Sequence, residues 1–329
     1  SIQYTYAWVA TADMPAATLT HALAELIDSG QEDNVLSCGG SNDIGVFSTS
    51  YIFDASTDTW SANIPMTSAR FHHTATTLDD GRVLACGGYT NFAFAVANTA
   101  ELLTAVADAP GGAWVATANM ALDRAEHAAI KLENGQVLII GGTCAAFGTT
   151  PTCELFDPAT NTFSSTGPMG YSRMTARAVA LPNNRVFVWG GYGKLTSSAA
   201  VPAWLTTAEI YDGNTGRWSP AMSTPTRTGT SVDEIAYISS TNQIVAIGRA
   251  LNRIDLYDVA TGKWKPSPAV GTEALDYGTH VALADYPIAV VMGGNTSAGT
   301  SVLGANLYVA AEDRIGGGGV NGQMHRVVS

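Results

Sequence analysis

Gly81-Arg82-Val83-Leu84-Ala85-Cys86-Gly87-Gly88 is an apolar run that leaves an Asp80-Gly81 turn and stops at a glycine pair. The same unit recurs at Val35 to Gly40, Val137 to Gly142, Val186 to Gly191, Ile244 to Arg249 and Ile288 to Gly294. The first glycines stand at 39, 87, 141, 190, 248 and 293, so the steps are 48, 54, 49, 58 and 45 residues. A period of about fifty residues marks an array of supersecondary units and not one irregular domain. Only the fifth copy departs, with Arg249 in place of the second glycine.

Each unit divides into four strand-like pieces. In the second, FHHTATTL from Phe71 to Leu78 is an inner strand, and Asp80-Gly81 supplies a hairpin turn, where glycine accepts positive φ. The apolar run is the next strand, and its lack of alternation predicts burial on both faces. A loop from Tyr89 to Asn98 precedes a third strand, Thr99 to Leu103, and a fourth begins near Trp114. The sixth unit lacks a closing aromatic strand, while the chain opens with an orphan one, Ala7 to Met14. That segment, AWVATADM, matches AWVATANM at Ala113 to Met120 almost residue for residue. The expected arrangement is therefore all-β: six four-stranded blades over residues 1–309, the last completed by residues 7–12. Pairing the first strand with the last blade closes the ring and removes its open edges. The closing aromatics are Trp8, Trp60, Trp114, Phe163, Trp218 and Trp264, and they are expected to pack between blades.

Composition narrows the function. The chain has 329 residues, 13% of them charged, and a net charge of −12. Phosphate-backbone binding needs clustered Lys and Arg, so nucleic acid is an unsuitable partner. No apolar run reaches the length of a membrane span. No basic-then-apolar leader opens the chain, and Ser1 fits either loss of an initiator Met or cleavage of a longer precursor. Residues 310–329 form a tail with a joint at Gly316 to Gly319, expected either to fray or to dock on a neighbouring subunit.

The glycine pair, a following strand bearing Tyr51, Phe156, Tyr211, Tyr257 or Tyr308 (Leu103 in the second copy), and then a Trp resemble the kelch repeat. The resemblance covers Ala7 to Val309 and implies a six-bladed kelch-type β-propeller. Such propellers host enzymes, adhesins and adaptors, so the resemblance speaks to fold more than to function. Galactose oxidase is built on kelch-like blades, but its copper ligands, including a tyrosine cross-linked to cysteine, find no match here. Sialic acid epimerase, with six blades, leaves Asp123, Glu126, Asp233 and Glu234 as candidate acid–base groups. No cofactor is implied.

Four sets of residues stand out. His21, His73, His127 and His280 recur in the inner strands. They are either packing residues bonded to a neighbouring strand or a ring of metal ligands. Arg70, Arg124, Arg173 and Arg227 recur ahead of the inner strands. They either bond carbonyls of the adjacent blade or ring one face as donors to an anionic or sugar ligand. Cys144 and Cys153 flank a short loop as a possible disulfide, whereas Cys38 and Cys86 are expected as small buried side chains. The loops after the glycine pairs carry Asn42, Tyr89, Asn91, Phe92, Phe94, Phe147, Tyr192, Trp204 and Asn295. Long loops on a stiff scaffold are where binding is usually placed.

The sequence thus predicts a recognition or adhesion module for a protein or glycan. The composition favours a virion or extracellular setting over the cytoplasm, as in a phage structural or receptor-binding protein. An intracellular kelch adaptor and a kelch-type sugar enzyme are the alternatives. The closure is testable: Trp8→Ala is expected to lower stability by about 3 kcal/mol or more, as removal of a packed indole does, read from the midpoint of a urea titration.

Overall fold

The computed structural model describes residues 15, 20–26, 34–54, 57–104, 112–197, 201–221, 232–239, 241–248, 253–269, 279–283, 288–295 and 301–309. Every main element among them is an antiparallel β-sheet. Six of the sheets are blades: among the described residues five have four strands and the sixth has three, and small two- and three-stranded sheets lie in the loops. The first runs Ala22–Leu26, Asn34–Cys38, Ser50–Asp54 and Thr59–Trp60. The third runs Ala128–Lys131, Val137–Ile140, Cys153–Asp157 and Thr162–Thr166. The sixth comprises Thr279–Leu283, Ile288–Asn295 and Ser301–Val309. Inner strands neighbour one another in chain order: Ala22–Leu26, Thr74–Thr77, Ala128–Lys131, Arg177–Leu181, Val232–Ile238 and Thr279–Leu283. This is the six-bladed kelch-type propeller. The expected closing strand, with Trp8, lies outside the described residues, as does the tail.

In the second and third blades the second strand is buried throughout, as its unbroken apolar run requires: Val83–Cys86 and Val137–Ile140 are covered on both faces. The cores lie between blades. Leu78, Leu84 and Cys86 of the second blade pack with Val137, Ile139 and Phe156 of the third. Leu132, Leu138 and Ile140 of the third pack with Val186, Val188 and Tyr211 of the fourth. The closing aromatics work at these seams. Trp114 Nε1 donates to Ser50 Oγ of the preceding blade at 3.0 Å, and the ring of Trp264 lies 4.5 Å from that of Trp189, one blade earlier. In the first blade Phe53, not Tyr51, is the aromatic partner of the tryptophan, with ring centroids of Phe53 and Trp60 5.2 Å apart. The register shows why: Val35 pairs with Phe53 as Val137 pairs with Phe156.

The glycine pair is explained by two separate encounters. Gly39, Gly87 and Gly141 have φ of +66°, +66° and +59°, and a methyl on each would collide with the carbonyl of Arg70, Arg124 or Arg173 in the next linker. The second glycine faces its own blade: a Cβ at Gly88 would stand 2.8 Å from both the Phe71 carbonyl and the His73 Cβ. At this closeness Gly40, Gly88 and Gly142 donate their N–H groups to those same arginine carbonyls at 2.8, 2.7 and 2.7 Å.

The arginine side chains lock the other side of the seam. Arg124 Nη1 donates to the Gly141 and Thr152 carbonyls, both at 2.9 Å. Its Nη2 donates to Thr152 Oγ1 and Glu154 Oε1, again at 2.9 Å. Glu154 also accepts the linker amides of Ala121 and Leu122 at 2.7 and 3.2 Å. Arg70 with Thr99 and Glu101, and Arg173 with Thr207 and Glu209, repeat the clasp. These three arginines are therefore not ligand donors on an exposed face, which corrects that expectation: each is at most 1% exposed. Arg227 lies outside the described residues.

The histidines pack across the same seams. His73 Nε2 lies 3.5 Å from Cys38 Sγ, and His127 Nε2 lies 2.9 Å from Thr74 Oγ1 and 3.6 Å from Cys86 Sγ. Where Ile140 replaces the cysteine, Ala176 replaces the histidine, and the two share a core. Among the described residues no three His, Cys, Asp or Glu side chains stand together as metal ligands; the side chain of His280 is outside the description. Cys144 and Cys153 are free and buried, which corrects the expected disulfide. Cys144 sits in the hairpin of Thr143–Cys144 and Gly148–Thr149, while Cys153 opens a strand whose side chain joins the seam with Met169 and Val186. Burial pushes the Cys153 thiol up to about 12.

Two outcomes follow from the seams. Glu154→Ala leaves the buried Arg124 guanidinium without its counter-charge and is expected to cost about 3–5 kcal/mol, measured by urea denaturation. For His127, burial, helped by the positive charges of Arg124 and Arg70, lowers the imidazole from 6.5 to about 3. The unfolded chain takes up that proton near its ordinary value, so the stability held by neutral His127 is whole above pH 6.5 and drains as pH falls toward 3. The urea midpoint is expected to drop between pH 7 and pH 4, and His127→Gln to flatten that drop.

Candidate functional site

The lead-ins to the first four inner strands each carry one residue in the left-handed region: Thr20, His72, Glu126 and Thr175, with φ of 57°, 52°, 55° and 54°. β-branched threonine rarely accepts this conformation, so something holds it there. The holder is a backbone belt. His72 N–H donates to the Thr20 carbonyl at 3.2 Å, Glu126 N–H to the His72 carbonyl at 3.0 Å, and Thr175 N–H to the Glu126 carbonyl at 2.8 Å. The belt runs from blade to blade where the inner strands begin. It places His72 and Glu126, both half-buried, at adjacent stations.

The loops that follow the glycine pairs rise beside this belt, because their first residues pair with the lead-ins. Phe71 bridges Tyr89, Ala125 bridges Thr143, and Tyr171–Met174 pairs with Tyr192–Leu195. The loops are braced from within. Asn91 Oδ1 accepts the N–H of Ala93 at 2.9 Å and of Ala95 at 3.2 Å, and Thr90 N–H donates to the Ala95 carbonyl at 2.9 Å. Asn42 Oδ1 accepts the Ile44 N–H at 2.9 Å. Phe94 is held at φ 58°, a strained setting for a bulky residue.

The bracing keeps apolar side chains in water. Phe92, Phe94, Phe147 and Trp204 are 52%, 61%, 77% and 46% exposed, and Ile44 and Val201 stand out beside them. Phe92 and Phe94 rest on the buried ring of Phe71 at 6.1 and 6.2 Å. Phe94 also meets Tyr89 edge-on at 5.1 Å. Tyr89 in turn stands 6.0 Å from the His72 ring. Trp204 meets the half-buried Tyr192 at 5.6 Å. Exposed apolar groups gathered at one end of a molecule mark an interaction surface.

Electrostatically the mouth is unfinished. Burial lowers the pKa of His72 and raises that of Glu126. Burial, with the Glu126 charge nearby, pushes the Tyr89 hydroxyl up to about 12. Burial thus favours the uncharged imidazole of His72, and among the described residues no cation stands against the Glu126 carboxyl group.

The structure thus brings together Tyr89, Asn91, Phe92 and Phe94 on one loop and places Asn42, Phe147, Tyr192 and Trp204 on the equivalent loops. Asp123 joins them through the Ala145 N–H, which its Oδ2 accepts at 2.8 Å. It withdraws the arginines into the seams. The side chains of Asn295, Asp233 and Glu234 are outside the description. His72 and Phe71 were missed as site residues; the signal is their place immediately before the recurring histidine. Glu101, Glu154 and Glu209 were missed too, although Thr-x-Glu recurs at 99–101, 152–154 and 207–209.

No protein-family profile matches the chain. Among curated proteins it is 26% identical to mouse Kelch-like protein 23 over 249 residues, covering 59% of this chain and 42% of that one. It is 33% identical to the Caenorhabditis elegans kelch repeat-containing protein kel-10 over 115 residues, covering 34% of this chain and 19% of that one. The chain therefore spans less than half the length of these relatives. Among solved structures, that of YjhT superposes with a TM-score of 0.63 at 16% identity, covering 89% of this chain and 95% of that one. With its repeated glycine pairs, seams and closing aromatics, similar in sequence to kelch repeat proteins and in fold to YjhT, this chain has the fold of a kelch-type β-propeller.

Proposed function

We propose that the chain is a recognition module that binds a partner protein through the loops at the mouth of the propeller. The observation that carries this reading is the row of braced, exposed apolar side chains, Phe92, Phe94, Phe147 and Trp204, all rising from the glycine-pair end of successive blades. Aromatic anchors presented on rigid loops lose little freedom on binding, which is how a stiff surface converts contact into affinity. Protein is favoured over glycan. A sugar needs several convergent polar groups, and the amide oxygens of Asn42 and Asn91 are already engaged within their own turns. The resemblance to kelch-like proteins supports a binding role for the propeller, and a virion or extracellular setting is the finer form of this proposal.

A photo-reactive amino acid placed at Phe92 or Phe147 tests it in the native source. The expected result is a discrete protein adduct from both positions and none from Asn134 or Asn214, which sit in turns at the opposite end of the blades. Equal labelling from both ends, or none from the loops, rejects the reading.

A further inference from the structure

Glu126 is the odd member of the belt. It is a half-buried carboxylate, and among the described residues it has neither an ion-pair partner nor a hydrogen-bond donor to its side chain. The recurring acids of the third strands are spoken for: Glu101, Glu154 and Glu209 each face an arginine at 2.6, 2.9 and 2.9 Å. A carboxylate that keeps its charge without a cation carries a desolvation cost, and its raised pKa records that cost.

Its surroundings are aromatic. Tyr89 feels the Glu126 charge, His72 shares a backbone hydrogen bond with it, and Phe94 and Phe92 extend the ring cluster outward into water. Neutral His72 adds no competing positive charge. The faces of aromatic rings and a lone carboxylate both attract cations. The chain as a whole is acidic, at −12.

We infer that the mouth between the second and third blades is a pocket for a cationic side chain, lysine or arginine, of the partner, with its head at Glu126 and its stem on Phe92 and Phe94. The inference rests on the proposed recognition role and names what is recognised. An alkyl stem buries against the exposed rings while the charged end meets the carboxylate, as amphipathic cations do at such sites. A neutral polyol satisfies the ring faces and leaves the carboxylate uncompensated.

The experiment titrates the isotope-labelled full chain with N-acetyl-arginine amide, with methyl glucoside as the neutral probe, and follows backbone amide resonances. The expected result is saturable shifts at His72, Tyr89, Phe94 and Glu126 with the cation and none with the glucoside. Glu126→Gln, which keeps the shape and removes the charge, is expected to weaken the cation about tenfold, the factor that about 1.4 kcal/mol represents. Phe92→Ala with Phe94→Ala is expected to weaken it while leaving the Glu126 resonance in place. Equal response to the two probes, no saturable response, or an unchanged affinity in Glu126→Gln overturns the inference. Its failure is separable from that of the recognition role. A photo-adduct at Phe92 without cation binding rejects only the pocket, and cation binding without an adduct rejects only the role.

Discussion

Everything in this molecule hangs on how closely one backbone approaches another at the seam between blades. The carbonyl of Arg70, Arg124 or Arg173 sits where the first glycine of the preceding blade would carry its side chain, and accepts the N–H of the second glycine. Only a residue without Cβ, in the left-handed region, permits that distance. Each linker is thereby registered to the blade before it. The guanidinium of the same residue then reaches into the blade after it and closes on a threonine and a glutamate. One residue joins two blades, its main chain facing backward and its side chain facing forward.

This arrangement decides what is left for binding. A buried arginine–glutamate pair is stable only when its remaining hydrogen bonds are met, and here linker amides and strand carbonyls meet nearly all of them. The polar groups that recur most regularly are thus consumed by construction. His73 and His127 are likewise buried in the seams, where they fill the space beside Cys38 and Cys86. Function falls to what does not recur: loop lengths, loop aromatics, and the single belt residue that changes from Thr20 to His72 to Glu126 to Thr175. Because the belt is fixed by backbone hydrogen bonds and the turns by Asn42 and Asn91, the exposed loop aromatics and the belt side chains are positioned without having to hold anything together.

Much of this was legible in advance. Unbroken apolar runs between Asp-Gly, Asn-Gly or Asn-Asn turns and glycine pairs leave few folds open, and Asn183 and Asn184 do take positive φ, as such a turn requires. That the loops carry aromatics was legible from the sequence; that Phe92, Phe94 and Trp204 stay about half exposed was decided by the fold. For the arginines two readings stayed open, because periodicity reports that a residue recurs without saying which way it points. Their Thr-x-Glu partners lie about thirty residues on, a spacing that only a folded blade makes short. Cys144 and Cys153 were misjudged for a related reason. Nearness in sequence suggested a bridge, whereas the strand pleat turns Cys153 into the seam. Tyr51 was taken for the blade aromatic in place of Phe53, a slip of two residues on one strand face that pairing register alone corrects.

The sequence by itself determined the number of blades and their strand order, because these follow from local patterns: apolar runs, turn residues, repeat spacing. Only the tertiary structure decided which recurring charges are neutralised inside the seams, and that the non-recurring Glu126, among the described residues, stands at the mouth without an ion-pair partner. Whether a charge is paired depends on distances between blades, and those are set by the packing of the whole ring and not by any stretch of chain.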